Sequence, residues 1–127
     1  MSSRKPRESR RAFGTRAEQL AESFLRAHGV GIVARNVHLR YAEIDLVALD
    51  GSALCIVEVR ARRGDRFGSA AESIGARKRA RLLRAAAELL ATHPLPRHSR
   101  VRFDVIAIDA AREPPTLEWL RDAFYSS

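Results

Sequence analysis

The stretch Glu43-Ile44-Asp45-Leu46-Val47-Ala48-Leu49, followed by Asp50-Gly51-Ser52 and then Ala53-Leu54-Cys55-Ile56-Val57-Glu58-Val59-Arg60-Ala61, decides how the rest of the chain reads. Two runs rich in β-branched and apolar residues flank a short polar segment, in which Asp-Gly suits a type I′ turn and Gly-Ser a type II′ turn. The segment predicts a β-hairpin. Side chains alternate across a strand, so Glu43, Asp45 and Val47 are expected on one face and Ile44, Leu46 and Ala48 on the other. With Gly51-Ser52 as the turn, Asp45 lies directly across from Glu58; with Asp50-Gly51, Asp45 faces Ile56 and Glu58 is its diagonal neighbour. Both registers put Asp45, Glu58 and Arg60 on one face, and only an odd loop or a bulge would separate them.

Upstream, Phe13, Ala17, Leu20, Ala21, Phe24, Leu25 and His28 recur at spacings of three and four, a helical stripe that ends near Gly29. Residues 31–40, with Ile32, Val33, Val37 and Leu39, predict a first strand with room for a bulge. Downstream, residues 62–69 mix charge with Gly64 and Gly68 and read as a loop. Residues 70–92 carry Ile74, Leu82, Leu83, Ala86, Ala87 and Leu90 in a second amphipathic helix, its first turn weakened by Gly75 and its end set by Pro94 and Pro96. Val101, Phe103 and Val105 on one parity and Ile106 and Ile108 on the other predict a strand buried in part on both faces. Residues 116–120 suggest a short last edge strand. The order is α-β-β-β-α-β with this short addition. It predicts a single α/β domain over residues 13–127, a mixed sheet with flanking helices, behind a basic flexible tail at 1–12.

The 127 residues carry 23 Lys and Arg against 15 Asp and Glu, a net +8. Such a balance points to a polyanionic partner, nucleic acid first. Residues 1–16 hold Arg4, Lys5, Arg7, Arg10, Arg11 and Arg16 against Glu8 alone; this arm suits either counterion release on nucleic acid or solvation only. Cys55, the one cysteine, excludes an internal disulfide and reads as a buried structural thiol. With no apolar leader and no run long enough to span a bilayer, a cytoplasmic protein without a membrane partner is expected.

Two carboxylates facing one another across a strand pair repel unless a cation lies between them. Mg²⁺ prefers oxygen ligands and is held by one or two carboxylates with water and substrate phosphate, so Asp45 and Glu58 suit it; Arg60 is the alternative neutralising cation. Glu18, beside the apolar stripe of the first helix, is placed to point along the helix–sheet junction toward such an ion, or else is a solvated flank residue. His28, His38, His93 and His98 have no zinc-ligand spacing with Cys55. Arg77-Lys78-Arg79, with Arg81 and Arg84, spread around much of their helix. With Arg60, Arg62, Arg63 and Arg66 they read either as a phosphate-tracking groove or as a solvated basic surface. Asp104 reads as structural, and Trp119 and Phe124 as closing the core.

The elements and the spacing Asp45…Glu58-Val59-Arg60 resemble the PD-(D/E)XK nuclease superfamily. More closely, the chain is similar to the YraN family of uncharacterised bacterial proteins, predicted endonucleases related to archaeal Holliday-junction resolvases. The residues that carry the likeness are Gly14-Thr15-Arg16-Ala17-Glu18 with Ala21, Arg35-Asn36, Glu43 through Ala48, Val57 through Arg62, Phe67-Gly68, Lys78 with Arg81-Leu82, Arg102 through Val105, and Ala123-Phe124. The resemblance implies a restriction-endonuclease-like core, with Asp45 and Glu58 as metal ligands and Glu18 supporting them, for Mg²⁺ or Mn²⁺. It also implies structured or branched DNA rather than RNA as substrate, and a homodimer. Two family glycines are Ala17 and Ala42 here, and the usual lysine is Arg60. Guanidinium keeps its proton, so Arg60 offers charge and hydrogen bonds but no base. Lys78 then becomes either a migrated catalytic ammonium or, with Arg62, Arg63, Arg77 and Arg81, a phosphate contact. Three functions remain open at this level: a metal-dependent endonuclease, a catalytically weak or inactive nucleic-acid-binding protein of the same fold, and a ribosomal-RNA-binding protein without an active site.

Overall fold

The computed structural model describes residues 9–62 and 74–124. Helix α1 runs Arg10–Ala27, three residues ahead of the apolar stripe, because the Ser9 hydroxyl accepts the Ala12 N–H at 3.1 Å and caps it. It ends where Gly29 takes a φ of 79°. That left-handed step lets the Gly29 and Val30 N–H groups donate to Arg26 and Leu25 carbonyls. The strands are β1 (Gly31–His38), β2 (Glu43–Asp50), β3 (Ala53–Arg62), β4 (Arg100–Asp109) and β5 (Thr116–Phe124), with helix α2 (Ala76–Thr92) between β3 and β4. They form one sheet in chain order; β3 and β4 are parallel, the other pairs antiparallel. Only the parallel pair needs a crossover, and α2 supplies it. The mixed sheet with flanking helices is as the sequence predicts.

Two expectations change at the element ends. Gly75, placed inside the second helix by its apolar spacing, is the extended N-cap of α2, and Ile74 is fully buried ahead of the helix. The expected start at residue 70 lies outside the described residues. At the other end β5 reaches Phe124, beyond the short strand expected to stop at Leu120. A buried polar network causes the extension. Arg102 donates from Nε and Nη2 to Asp104 at 2.9 Å each and from Nη2 to Asp50 at 2.9 Å. Asp104 also accepts Trp119 Nε1 and the Asp122 backbone N–H, each at 3.0 Å. The β4–β5 register steps between Phe103 and Val105, and Asp122 adopts a φ of 55°, so a carboxylate on β4 replaces a missing ladder bond and β5 continues to Phe124. Phe124 then stacks on Phe103 with ring centroids 5.0 Å apart.

The sheet carries a core on each face. Ala17, Ala21 and Leu25 of α1 pack with Leu46, Ala48, Cys55, Val57, Ile106 and Ile108. Leu82, Ala85, Ala86 and Leu89 of α2 pack with Ile44, Val47, Leu54, Ile56, Phe103 and Val105 on the other. Burial pushes the Cys55 thiol up to about 11, as an inert structural cysteine requires. Among the described residues no helix is long and apolar enough to cross a membrane.

The Arg102–Asp104 pair is buried and charged, so removing one partner strands the other in a low dielectric. Asp104→Ala is expected to lower the unfolding free energy by about 3–5 kcal/mol. Urea denaturation checks this; a loss below about 1 kcal/mol would mean that the network does not hold β5.

Candidate functional site

The Asp50↔Ala53 pairing makes Gly51-Ser52 the hairpin turn, Gly51 supplying a φ of 60°. Of the two registers open in the sequence, this is the one that sets Asp45 across from Glu58. The face assignment, however, needs correction. Leu46 and Ala48 pack on the α1 side as strict alternation predicts, yet Ile44 joins Val47 in the α2-side core. Asp45 and Glu43 instead meet Glu18 of α1. The alternation therefore breaks between Asp45 and Leu46. The opposite strand breaks at the matching point, since the β1–β2 register sets Asn36 against Asp45. Asn36 has a φ of 49°, which asparagine tolerates better than most residues, and it lets Arg35 and Asn36 both reach α1. A separate bulge lies between Ile32 and Ala34, as anticipated for the first strand.

Carboxylate oxygens of Glu18, Glu43 and Asp45 all lie within 4.8 Å of one another. Asn36 Nδ2 bridges two of the three groups, donating to Glu18 Oε2 at 3.0 Å and to Glu43 Oε1 at 3.2 Å. Asp45 Oδ2 accepts the Val59 backbone N–H at 2.8 Å. Behind Asp45, Glu58 is buried, its Oε1 lying 3.5 Å from Lys78 Nζ. The second oxygen, Oε2, is also buried and has no hydrogen-bond partner among the described residues. Burial, then the neighbouring Asp45 and Glu43 charges, push Glu18 up to about 7. Glu58 is likewise pushed up to about 7 by burial and then by Asp45, against the pull of Lys78 and Arg60. Asp45 is raised by burial despite the Val59 N–H.

This cluster lines a cleft of about 820 Å³ between α1 and the sheet, along with Asn36, His38, Arg11, Arg60 and Arg62. Of the residues singled out in the sequence, Glu18, Asp45, Arg60 and Arg62 thus line the cleft together. Glu58 lies behind its wall, and Lys78 reaches that carboxylate from the far side of the sheet. Arg77 and Arg81 instead face outward on α2, beside a different hollow. Arg63 lies outside the described residues. Sequence reasoning passed over Glu43 as a ligand and Asn36 as its support. The parity of Glu43 with Asp45 and the Arg35-Asn36 pair were the available signals. Oxygen donors from Glu18, Glu43 and Asp45, with an orphan Glu58 oxygen behind them, form the set that hard divalent cations such as Mg²⁺ and Mn²⁺ take.

The raised carboxylates set a direction for stability without metal. Glu18 and Glu58 hold their protons more tightly folded than unfolded, where the ordinary value is near 4.5. Between about 4.5 and 7 the native state therefore binds more protons, and its stability falls as pH rises through that window. Urea denaturation in chelator should give a lower midpoint at pH 8 than at pH 5, and Glu58→Gln should reduce the difference. A midpoint that rises with pH would contradict the crowding of these groups.

A profile described as "Uncharacterised protein family UPF0102" matches residues 17–108, which span the acidic cluster, the hairpin, α2 and most of β4. A UPF0102 protein of Xanthomonas euvesicatoria pv. vesicatoria is 46% identical over 116 residues, covering 91% of this chain and 93% of its own. One from Bordetella avium is 49% identical over 117 residues, covering 91% and 76%. Another from Pseudomonas aeruginosa is 42% identical over 120 residues, covering 93% and 96%. With matches of this extent running through every element that builds the cleft, the chain belongs to the UPF0102 family.

Proposed function

We propose that this protein is a cytoplasmic, metal-dependent endonuclease-like protein that acts on phosphodiester bonds of nucleic acid, DNA in preference to RNA and structured or branched DNA in particular. The carrying observation is the convergence of Glu18 from α1 with Glu43 and Asp45 from β2 in one arginine-lined cleft. A bound Mg²⁺ or Mn²⁺ would supply Lewis-acid stabilisation of the developing phosphate charge and activation of water. Glu18, Glu43 and Asp45 would hold it, with Glu58 supporting from behind Asp45.

The chain's own cations divide the remaining work. Arg60 and Arg62 line the cleft beside the acidic cluster, where guanidinium can bind phosphate oxygens in pairs and stabilise charge without giving up its proton. Lys78, at 3.5 Å from Glu58 Oε1, places the ammonium that the residue at position 60 no longer provides next to the same carboxylate, from α2. This favours the migrated-lysine alternative over a role on the outer surface. Lys78 is a positioning residue in this reading: it pulls Glu58 toward its charged form and orients it. A second reading, nucleic-acid binding with little or no turnover, is favoured by Arg60 itself, because an arginine cannot serve as a base.

Calorimetric titration with Mn²⁺ should show one site that Asp45→Ala abolishes and Glu18→Ala weakens. Incubation with branched, single-stranded and duplex DNA and with RNA should show metal-dependent cleavage. Glu58→Ala and Lys78→Met are each expected to reduce it by about 10²-fold or more, with Lys78→Arg retaining part of it. Cleavage indifferent to Glu58→Ala would reject the site. Metal binding without cleavage, gained on Arg60→Lys, would establish the second reading.

A further inference from the structure

Five cations crowd the first half of α2, and the structure sorts them by helical phase. Lys78 turns inward to Glu58. Arg79 is occupied locally: its Nε donates to the Ile74 carbonyl at 3.0 Å and its guanidinium lies 5.9 Å from the Phe124 ring centroid. Arg77, Arg81 and Arg84 stay outside. At 100° per residue, positions i, i+4 and i+7 fall within about 60° of one another, so the three share one exposed ridge. They line a shallow hollow of about 280 Å³. Among the described residues none of the three is ion-paired.

The turn between β1 and β2 completes this surface. Tyr41 is one of the two large hydrophobic side chains left exposed among the described residues, at 44%, and its ring is flanked by two guanidiniums, Arg84 at 5.3 Å and Arg40 at 5.7 Å from the centroid. The Arg40 backbone N–H donates to Glu88 Oε2 at 2.8 Å, which ties the turn to α2 and engages the acidic group of this face. Contacts with an aromatic face restrict long side chains that would otherwise lose rotamer freedom on binding. Arg40 and Arg84 are thus held in place before any partner arrives. Because α1 and α2 pack on opposite faces of the sheet, this ridge and the acidic cleft belong to different sides of the molecule.

We infer that Arg77, Arg81 and Arg84, with Arg40 set by Tyr41, form a second contact surface for the phosphate backbone of nucleic acid, separate from the cleft. The inference rests on the reading of the chain as a nucleic-acid protein but not on turnover. From Arg77 to Arg84 the helix rises about 10.5 Å, at 1.5 Å per residue. A duplex presents a phosphate on each strand every ~3.4 Å of its axis, so the ridge spans about three phosphates. A surface with three outward guanidiniums and no described carboxylate pairing fits a polyanion and carries no base-reading geometry.

The test is fluorescence anisotropy with a labelled duplex in chelator, so that no cleavage occurs, over a series of salt concentrations. The triple variant Arg77→Ala, Arg81→Ala, Arg84→Ala should weaken binding at least about tenfold and lower the steepness of log K against log[salt] by about 2–3, near 0.9 per lost phosphate contact. Mn²⁺ binding should persist, which also reports an intact fold. A charge-matched control, Arg97→Ser, Arg100→Ser, Arg112→Ser, should lose less than about threefold. Tyr41→Ala should weaken binding severalfold and Tyr41→Phe should not, since the ring face is retained. An unchanged slope in the triple variant, an equal loss in the control, or no duplex binding by the parent would each overturn the inference. Cleavage by the parent alongside an unchanged slope would reject this surface and leave the nuclease reading standing. The expected slopes from a parent that never cleaves would do the reverse.

Discussion

The hydrogen bond from the Val59 N–H to Asp45 Oδ2, at 2.8 Å, is the constraint from which the functional end of this fold follows. The β2–β3 ladder runs from Asp50↔Ala53 to Leu46↔Val57 and stops there. Two residues farther along β3 the Val59 backbone donor has no place in the ladder, and a donor left unpaired inside a protein costs about as much as a lost hydrogen bond. Asp45 satisfies it with a side chain. To do so it leaves the alternation of its strand, which is why Ile44 and Val47 share one core and Leu46 belongs to the other. The strand opening, the turned aspartate and the cleft are therefore one feature. Asp45 also stands between three acidic groups, Glu18 and Glu43 in the cleft and Glu58 behind it.

Four carboxylates at such separations are tolerable because the surroundings answer each one differently. Glu18 and Glu43 share the Asn36 amide, Asp45 has a backbone donor, and Glu58 has Lys78. Neutral donors lower the repulsion without cancelling it. Burial first, and the remaining repulsion second, raise the proton affinity of Glu18, Asp45 and Glu58. A proton and a divalent cation compete for that same excess of negative potential. Glu22, one turn farther along α1, shows the contrast. It is bound by Arg35 and Arg26, and its carboxyl is held below the usual range. Where the chain pairs a glutamate with arginines, a further cation meets less uncompensated negative charge. At Glu18 it leaves the neutralisation incomplete.

The hairpin was legible because its signal is local: a Gly-Ser turn fixes register, and register sets Asp45 across from Glu58. The side on which Asp45 projects was not legible. It depends on Asn36, nine residues earlier on another strand, taking a left-handed conformation, and period-two patterning does not encode that event. Glu43 shares parity with Asp45 and was passed over because a hairpin viewed alone offers only Glu58 as its opposing acid; α1 supplies the third group. The length of β5 was hidden for the same kind of reason. Residues 121–124 extend the sheet because Asp104 on β4 accepts the Asp122 N–H across a register step. In each case a side chain takes over a backbone bond, and such substitutions are tertiary.

Helix α2 shows how this economy runs through to the outer surface. Its first turn carries Arg77, Lys78 and Arg79 and no acidic residue, although the positive end of a helix dipole favours anions there by about 0.3–1 kcal/mol each. Gly75 at the cap offers no side-chain acceptor in compensation. Local rules are broken in this way mostly where something else depends on the residues concerned. Lys78 is stabilised by Glu58, and Arg79 by the Ile74 carbonyl. Arg77 has neither compensation among the described residues. Lys78 of α2 faces Glu58, and Arg77, the next residue on the helix, lies about 100° from it and faces outward. A helix that delivers an ammonium to the acidic centre therefore presents its neighbours, one residue before and three after, to solvent. Anionic phosphate is the ligand that would relieve both the mutual repulsion of those arginines and their conflict with the dipole.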